Sequence, residues 1–131
     1  MQEIKLRTSS RDSMNDITGK VKSLIPNSMK SGICVLFCEH TTAGLTINEN
    51  ADPDVKTDII NTLDRMIPFV QPGFLHREGN SAAHLKSSLI GCSLSIPIHN
   101  GHLILGRWQG IYLCDFDGPR ERRVTVTLIN A

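Results

Sequence analysis

The segment LSIPIHNGHLIL, residues 94–105, constrains the fold more than any other stretch of the chain. Asn100-Gly101 supplies the two positive-φ residues of a two-residue hairpin turn, so its flanks pair antiparallel. That register sets His99 opposite His102, Ile98 opposite Leu103 and Ile96 opposite Leu105. Pro97 cannot donate to a ladder, which puts its strand at an edge or at a bulge. More strands are readable on both sides of the hairpin. EIKLR, residues 3–7, alternates apolar and polar as a half-buried strand does. GICVLFC, residues 32–38, is apolar throughout and predicts a strand buried on both faces. GLTINE, residues 44–49, alternates again, and WQGIYLCDF and ERRVTVTLI complete two more strands.

Helices interrupt this pattern. Met14, Ile17, Val21, Leu24 and Ile25 fall at helical spacing within residues 13–25, and Pro26 stops them. A second helix starts where Asp52 can cap, Pro53 fits the first turn and Asp54 complements the dipole. Val55, Ile59, Leu63, Met66 and Ile67 form its apolar stripe. A third runs from Asn80 or Ser81 to Gly91, with Ala82, Leu85 and Leu89 as the buried stripe. Seven or so strands are too many for one small flat sheet. The pattern predicts an α+β domain of more than one sheet, with two or three helices, spanning residues 1–131 as a single unit.

Composition narrows the function. Lys plus Arg is 14 against 13 Asp plus Glu, a net charge of +1, which argues against a broad grip on nucleic acid. No apolar run approaches membrane-span length and no signal-peptide pattern opens the chain, so no membrane association and a cytoplasmic location are expected. Cys34, Cys38, Cys92 and Cys114 form no C-x-x-C pair, and all four read as reduced core thiols.

Chemistry concentrates in three stretches. HREGNSAAHLKSS, residues 76–88, puts His76 and Glu78 in a loop before a helix. His84 falls on the Ser81/Ser88 stripe, beside the apolar one. Two imidazoles, a carboxylate and a helix start suit phosphate or metal chemistry. CEHTTAGLTINEN, residues 38–50, leaves His40 where a loop departs from a buried strand, with Thr41, Thr42, Asn48 and Glu49 behind it. Strand end and turn, with Gly44 permitting the turn, account for that stretch equally. DFDGPR holds Asp115, Asp117 and Arg120, which turn chemistry also explains. The PRERR cluster reads as a solvated strand start, with a phosphate contact as the competing role. His99 and His102 face solvent, and Trp108 suits a core or a subunit interface.

HTTAGLTINENADPDV (40–55), EGNSAAHLKSSLIG (78–91) and GRWQGIYLCDFDGPRERRV (106–124) together resemble the YjbQ-type family, also called secondary thiamine-phosphate synthase enzymes. The resemblance implies a compact bifurcated β-sandwich, assembled as a homotrimer, with a weak thiamine-phosphate synthase activity. It also implies a polar site drawn from His40, Thr41, Thr42, Asn48, Glu49, His76, Glu78, Asn80, His84, Trp108, Gln109 and Asp115. Arg107 stands where the family usually has threonine, which changes the charge beside Trp108.

On this reading the substrate is a phosphorylated small molecule. His40, Glu78 and His84 are the catalytic candidates. Thr41, Thr42, Asn48, Asn80, Gln109 and Arg120 are the substrate- and phosphate-binding candidates. His40, His76 and His84 are candidate ligands for a divalent metal, Mg²⁺ or Zn²⁺, and are expected to converge on one point. Two alternatives use the same residues: a metal-dependent hydrolase, and a non-catalytic trimeric protein that binds a small anion.

Overall fold

A computed structural model describes all residues, 1–131. Eight strands and three helices follow one another as β1 (Gln2–Arg7), β2 (Ser13–Asp16), α1 (Thr18–Lys22), β3 (Ser31–Phe37), β4 (Ala43–Glu49), α2 (Pro53–Met66), α3 (Ser81–Ile90), β5 (Ser93–His99), β6 (His102–Leu103), β7 (Gln109–Asp115) and β8 (Glu121–Asn130). They form two antiparallel sheets, one of five strands in the order β1-β8-β3-β5-β6 and one of three in the order β2-β7-β4. The α+β, two-sheet architecture read from the sequence is the one observed.

The sheets face each other across the main core. Leu36, Ile96, Val124 and Val126 from the larger sheet meet Leu45, Ile111 and Leu113 from the smaller, and Ile17 and Val21 close one end. The alternate residues of β7, Tyr112 and Cys114, point the other way into a second cluster with Met14, Ala83 and Phe116, covered by Ile59, Ile60 and Leu63 of α2. β7 is therefore the strand buried on both faces. β3 is not: Cys34 and Leu36 point inward, while Ile33 and Phe37 are exposed and Val35 is half-buried. The outward row of β3, next to exposed Ile129 and Pro97, leaves an apolar sheet face uncovered in the single chain.

The hairpin forms as expected. Asn100 and Gly101 have φ of 50° and 76°, Ile98 pairs with Leu103, and His99 pairs with His102. The ladder ends there, so Ile96 and Leu105 do not pair, and Ile104 N–H instead donates to the Pro97 carbonyl. Helix α2 begins as read: the Asp52 carboxylate accepts the Asp54 N–H at 2.9 Å, with Pro53 in the first turn.

Two helical expectations need correction. Residues 13–16 are a strand, paired with β7, and helix begins only at Thr18. Asp16 makes the break, because its carboxylate accepts both the N–H and the hydroxyl of Thr18, at 2.9 and 2.6 Å. Helix α3 is rotated from its expected face. Ala82, Ala83, Lys86 and Ser87 are buried, while Leu85 and Leu89 are exposed. The rotation follows from polar anchors that outweigh the leucines: Lys86 Nζ lies 2.6 Å from Asp12 and 3.0 Å from Asp64, and the Ser87 hydroxyl donates to the Thr41 carbonyl at 2.6 Å. Gly44 also has a different role from the one expected. It sits within β4, where an added Cβ would lie 2.6 Å from the Gly91 carbonyl oxygen. Its lack of a side chain lets the end of α3 approach the sheet, and Leu45 N–H bonds that same carbonyl at 2.9 Å.

Candidate functional site

Helix α3 lies along β4, and the loop before it folds back beside its first turn. His76 and His84 consequently meet edge to face, ring centroids 5.3 Å apart. They line an open cavity of about 440 Å³ with Phe74, Ser81 and Leu85. His84 is half-buried and is not part of the apolar core. It also lines a second cavity, of about 400 Å³, with His40, Thr41, Ser87, Ser88 and Cys92 among its walls. His84 thus lines two depressions. His40 occupies the same position one step further on: it lines this second cavity and a third, of about 460 Å³, walled by Lys5, Arg7, Arg122 and Arg123. Three depressions therefore run in series, joined through His40 and His84.

His40 is held from strand β8. Its Nε2 accepts the Arg123 backbone N–H at 3.0 Å. An accepting Nε2 leaves the proton of the neutral ring on Nδ1. Burial, then the charges of Arg122 and Arg123, hold the His40 pKa below its usual value. His40 can offer a hydrogen bond through Nδ1, and its Nε2 lone pair is already committed.

That commitment bears on metal binding. No group of three or more His, Cys, Asp or Glu side chains lies close enough to hold an ion. His76 and His84 are a pair, His76 Nε2 is 3.9 Å from a Glu78 carboxylate that is mostly exposed, and His40 is engaged elsewhere. The expected convergence of His40, His76 and His84 on one point is not seen: His84 shares one cavity with His76 and another with His40, and no three of these side chains group closely enough to hold a divalent metal within one chain.

The remaining candidates divide by location. Thr41 lines the middle cavity. Thr42 is buried, and its hydroxyl accepts from Arg122 at 2.7 Å, which ties it to the Arg122–Asp115 pair beneath the site. Asn80 is buried at the start of α3, where its amide donates to Asp117 at 2.8 Å and its Oδ1 has no protein partner. Arg120 clamps the turn before β8 through the Asp117 carbonyl and carboxylate, at 2.9 and 3.2 Å. Asn48 and Gln109 lie at the far end of β4 and β7. The Asn48 side chain accepts Glu49 N–H, Glu49 accepts Asp52 N–H, and Gln109 accepts Gly106 N–H. Five residues of strand separate Asn48 from Ala43, about 17 Å at 3.3–3.4 Å per residue, so this group does not join the histidines within one chain. Arg107 lies over the Trp108 ring, 4.8 Å from its centroid, at that same end.

Asp115 is a support for the site. It is fully buried and bonds Arg122 at 2.7 Å and the Thr8 hydroxyl at 2.6 Å. Burial pulls its pKa up, but the bonds from Arg122 and Thr8 outweigh that and leave the carboxyl below its ordinary value. Lys5 and Arg7 were missed from the sequence, and Arg123 was read only within PRERR, where a phosphate contact was the competing role. Alternation placed Lys5 and Arg7 on one strand face, but their meeting with Arg123 depends on the pairing of β1 with β8, more than a hundred residues away.

Comparison with known proteins agrees with this fold. The family model described as UPF0047 protein YjbQ-like matches residues 2–131. The chain is 46% identical over 130 residues to UPF0047 protein YugU of Bacillus subtilis, covering 98% of each chain. It is 53% identical over 125 residues to UPF0047 protein MJ1081 of Methanocaldococcus jannaschii, covering 95% of this chain and 90% of that one. A crystal structure of a YjbQ/UPF0047 family protein from Clostridium acetobutylicum superposes with a TM-score of 0.95 at 53% identity, over 98% of this chain and all of that one. The chain belongs to the YjbQ-like UPF0047 family.

Proposed function

We propose that the chain is a small-molecule enzyme for phosphorylated, ring-bearing substrates, with thiamine-phosphate synthesis as a weak activity. The observation that carries the reading is His84, one imidazole shared by two adjoining cavities, with His76 on one side and His40 on the other. Phe74 and Leu85 offer an apolar wall for a heteroaromatic ring beside His76. In the reaction a thiazole nitrogen attacks the methylene of an aminopyrimidine diphosphate. A C–N bond forms, the C–O bond breaks, and diphosphate leaves with the electron pair. Little covalent help is needed; orientation and neutralisation of the departing charge do the work. His84 contacts the substrate at the junction, His76 packs against it, and Glu78 biases the His76 ring. Magnesium would enter as the counter-ion of the diphosphate substrate. A hydrolase that depends on a resident metal gains no support from this donor set.

We further propose that the working unit is a trimer. Ile33, Phe37 and Ile129 on the outer sheet face, and Leu85 and Leu89 on α3, are all more than two-fifths exposed in the single chain. β3 was expected to be covered on both faces, and a second copy would supply the missing cover. No helix is long and apolar enough to cross a membrane.

The test is product formation from the two phosphorylated precursors by purified protein with Mg²⁺. Turnover is expected with the wild type and is expected to fall about 100-fold or more in His84→Ala, the scale of a lost proton-transfer or charge-stabilising group. Equal product from both proteins rejects the assignment of His84. Stabilisation by phosphates without any turnover favours the binding-only alternative.

A further inference from the structure

We infer that Lys5, Arg7 and Arg123, together with His40, form a binding site for a multiply charged phosphoryl group, a diphosphate above all, at the end of the cavity series away from His76. The inference deepens the proposed function and rests on it only for what happens at His84.

Three observations lead there. The first is unbalanced charge. Lys5 and Arg123 stand directly opposite each other in the β1–β8 ladder, and like charges so placed destabilise a sheet. No carboxylate comes within ion-pair distance of Lys5, Arg7 or Arg123, although six ion pairs form between other lysines or arginines and carboxylates in the chain. Glu121 faces Arg7 in register without reaching it. Arg122, the fourth cation of the wall, is already neutralised by Asp115. The wall therefore holds three free cations against one carboxylate.

The second observation is shape. These cations surround a cavity of about 460 Å³, within the range of small-ligand sites. A solvated charge face would need no such concavity. Two guanidinium groups and an ammonium can meet a diphosphate from several directions, and guanidinium groups match phosphate oxygens in pairs.

The third is continuity. His40 is a wall of this cavity and of the next, which ends at His84. A phosphoryl group held by Arg7 and Arg123 leaves the rest of an elongated substrate directed along Thr41 and Ser87 toward His84. The bond from Arg123 N–H to His40 also ties the two cavities together mechanically. His40 is surrounded by Arg122, Arg123, Asp115 and Glu39, so an anion entering the cavity must raise its pKa.

The experiment is calorimetric titration of the full chain with sodium pyrophosphate, and separately with inorganic phosphate, at fixed ionic strength. Arg7→Gln, Arg123→Gln, Lys5→Gln and His84→Ala are compared, each checked by thermal melting. The three cations are exposed, so their removal leaves the fold intact. Wild-type protein is expected to bind pyrophosphate more tightly than phosphate, and each cation substitution to weaken it about tenfold, the scale of one charge-assisted hydrogen bond. His84→Ala is expected to keep pyrophosphate affinity, and the His40 midpoint is expected to rise on saturation. This pattern supports the inference even if no turnover is found, in which case only the proposed reaction falls. Pyrophosphate affinity unchanged in both Arg7→Gln and Arg123→Gln, or no binding by the wild type at millimolar concentration, overturns the inference while leaving turnover at His84 to stand on its own assay.

Discussion

The Arg123 backbone N–H donates to His40 Nε2 at 3.0 Å, so a strand from the end of the chain fixes the tautomer of a loop imidazole 83 positions earlier. His40 should therefore be the Nδ1–H tautomer near neutral pH. Burial, with Arg122 and Arg123, lowers its folded pKa below the unfolded 6.5. Between the two values the unfolded chain holds the extra proton. The stability His40 contributes is thus present above about pH 6.5 and is lost as pH falls through the lower folded value. Nitrogen-15 shifts of the ring across pH 5 to 8 check this. A midpoint at or above 6.5, or a proton on Nε2, contradicts it.

The cysteines should separate by reactivity. Burial pushes the Cys34 thiol to about 11 and the Cys114 thiol to about 12, and raises that of Cys38. Cys92 was expected in the core but is exposed, at the start of β5 beside Ser93. Alkylation of native protein, read by mass spectrometry, should label Cys92 first and leave the other three slow. Rapid labelling of Cys34 or Cys38 would count against their packing.

The sheet framework was legible because its signals are local. Asn100-Gly101 defines a turn by backbone chemistry alone, and Asp52-Pro53-Asp54 does the same for a helix start. The misreadings had non-local causes. The helical spacing of Met14 and Ile17 persists in the sequence, yet pairing with β7 takes residues 13–16 into a sheet. The leucine stripe of α3 looked like the buried face, yet the acids that hold Lys86 come from positions 12 and 64. Of the site, the neighbourhood of His76 and His84 was readable, since a loop and one helix bring them together. The cationic wall was not, because β1 and β8 are brought together only by the whole fold.

Lys86 gives a stability test of that helix face. Its ammonium is buried between Asp12 and Asp64. Lys86→Ala removes the buried cation and leaves Asp12 and Asp64 to Arg11 alone, and should cost about 3 kcal/mol, the low end for a broken buried pair because Arg11 still bridges the acids and Asp64 keeps access to water. Ser88→Ala, two residues on and on the exposed side of the helix, should fall within about 0.5 kcal/mol of wild type. Urea denaturation compares the two, and equal losses would contradict the observed rotation of α3.

The outer sheet face gives an assembly test. Phe37 of β3 is 43% exposed, and Ile129, on the neighbouring strand β8, is 50% exposed. Sedimentation at micromolar concentration should show a trimer for the wild type and smaller species for Phe37→Glu or Ile129→Glu. A monomeric wild type would remove the proposed cover from that face.

The most direct test of a single site running through His40 and His84 is a titration of the five imidazoles by carbon-13 NMR, using thiamine phosphate as the ligand. His99 and His102 pair across the exposed hairpin and serve as internal controls. His40, His76 and His84 should shift together along one saturation curve while His99 and His102 stay in place. Shifts confined to the hairpin pair, or separate curves for His40 and His84, would contradict the account.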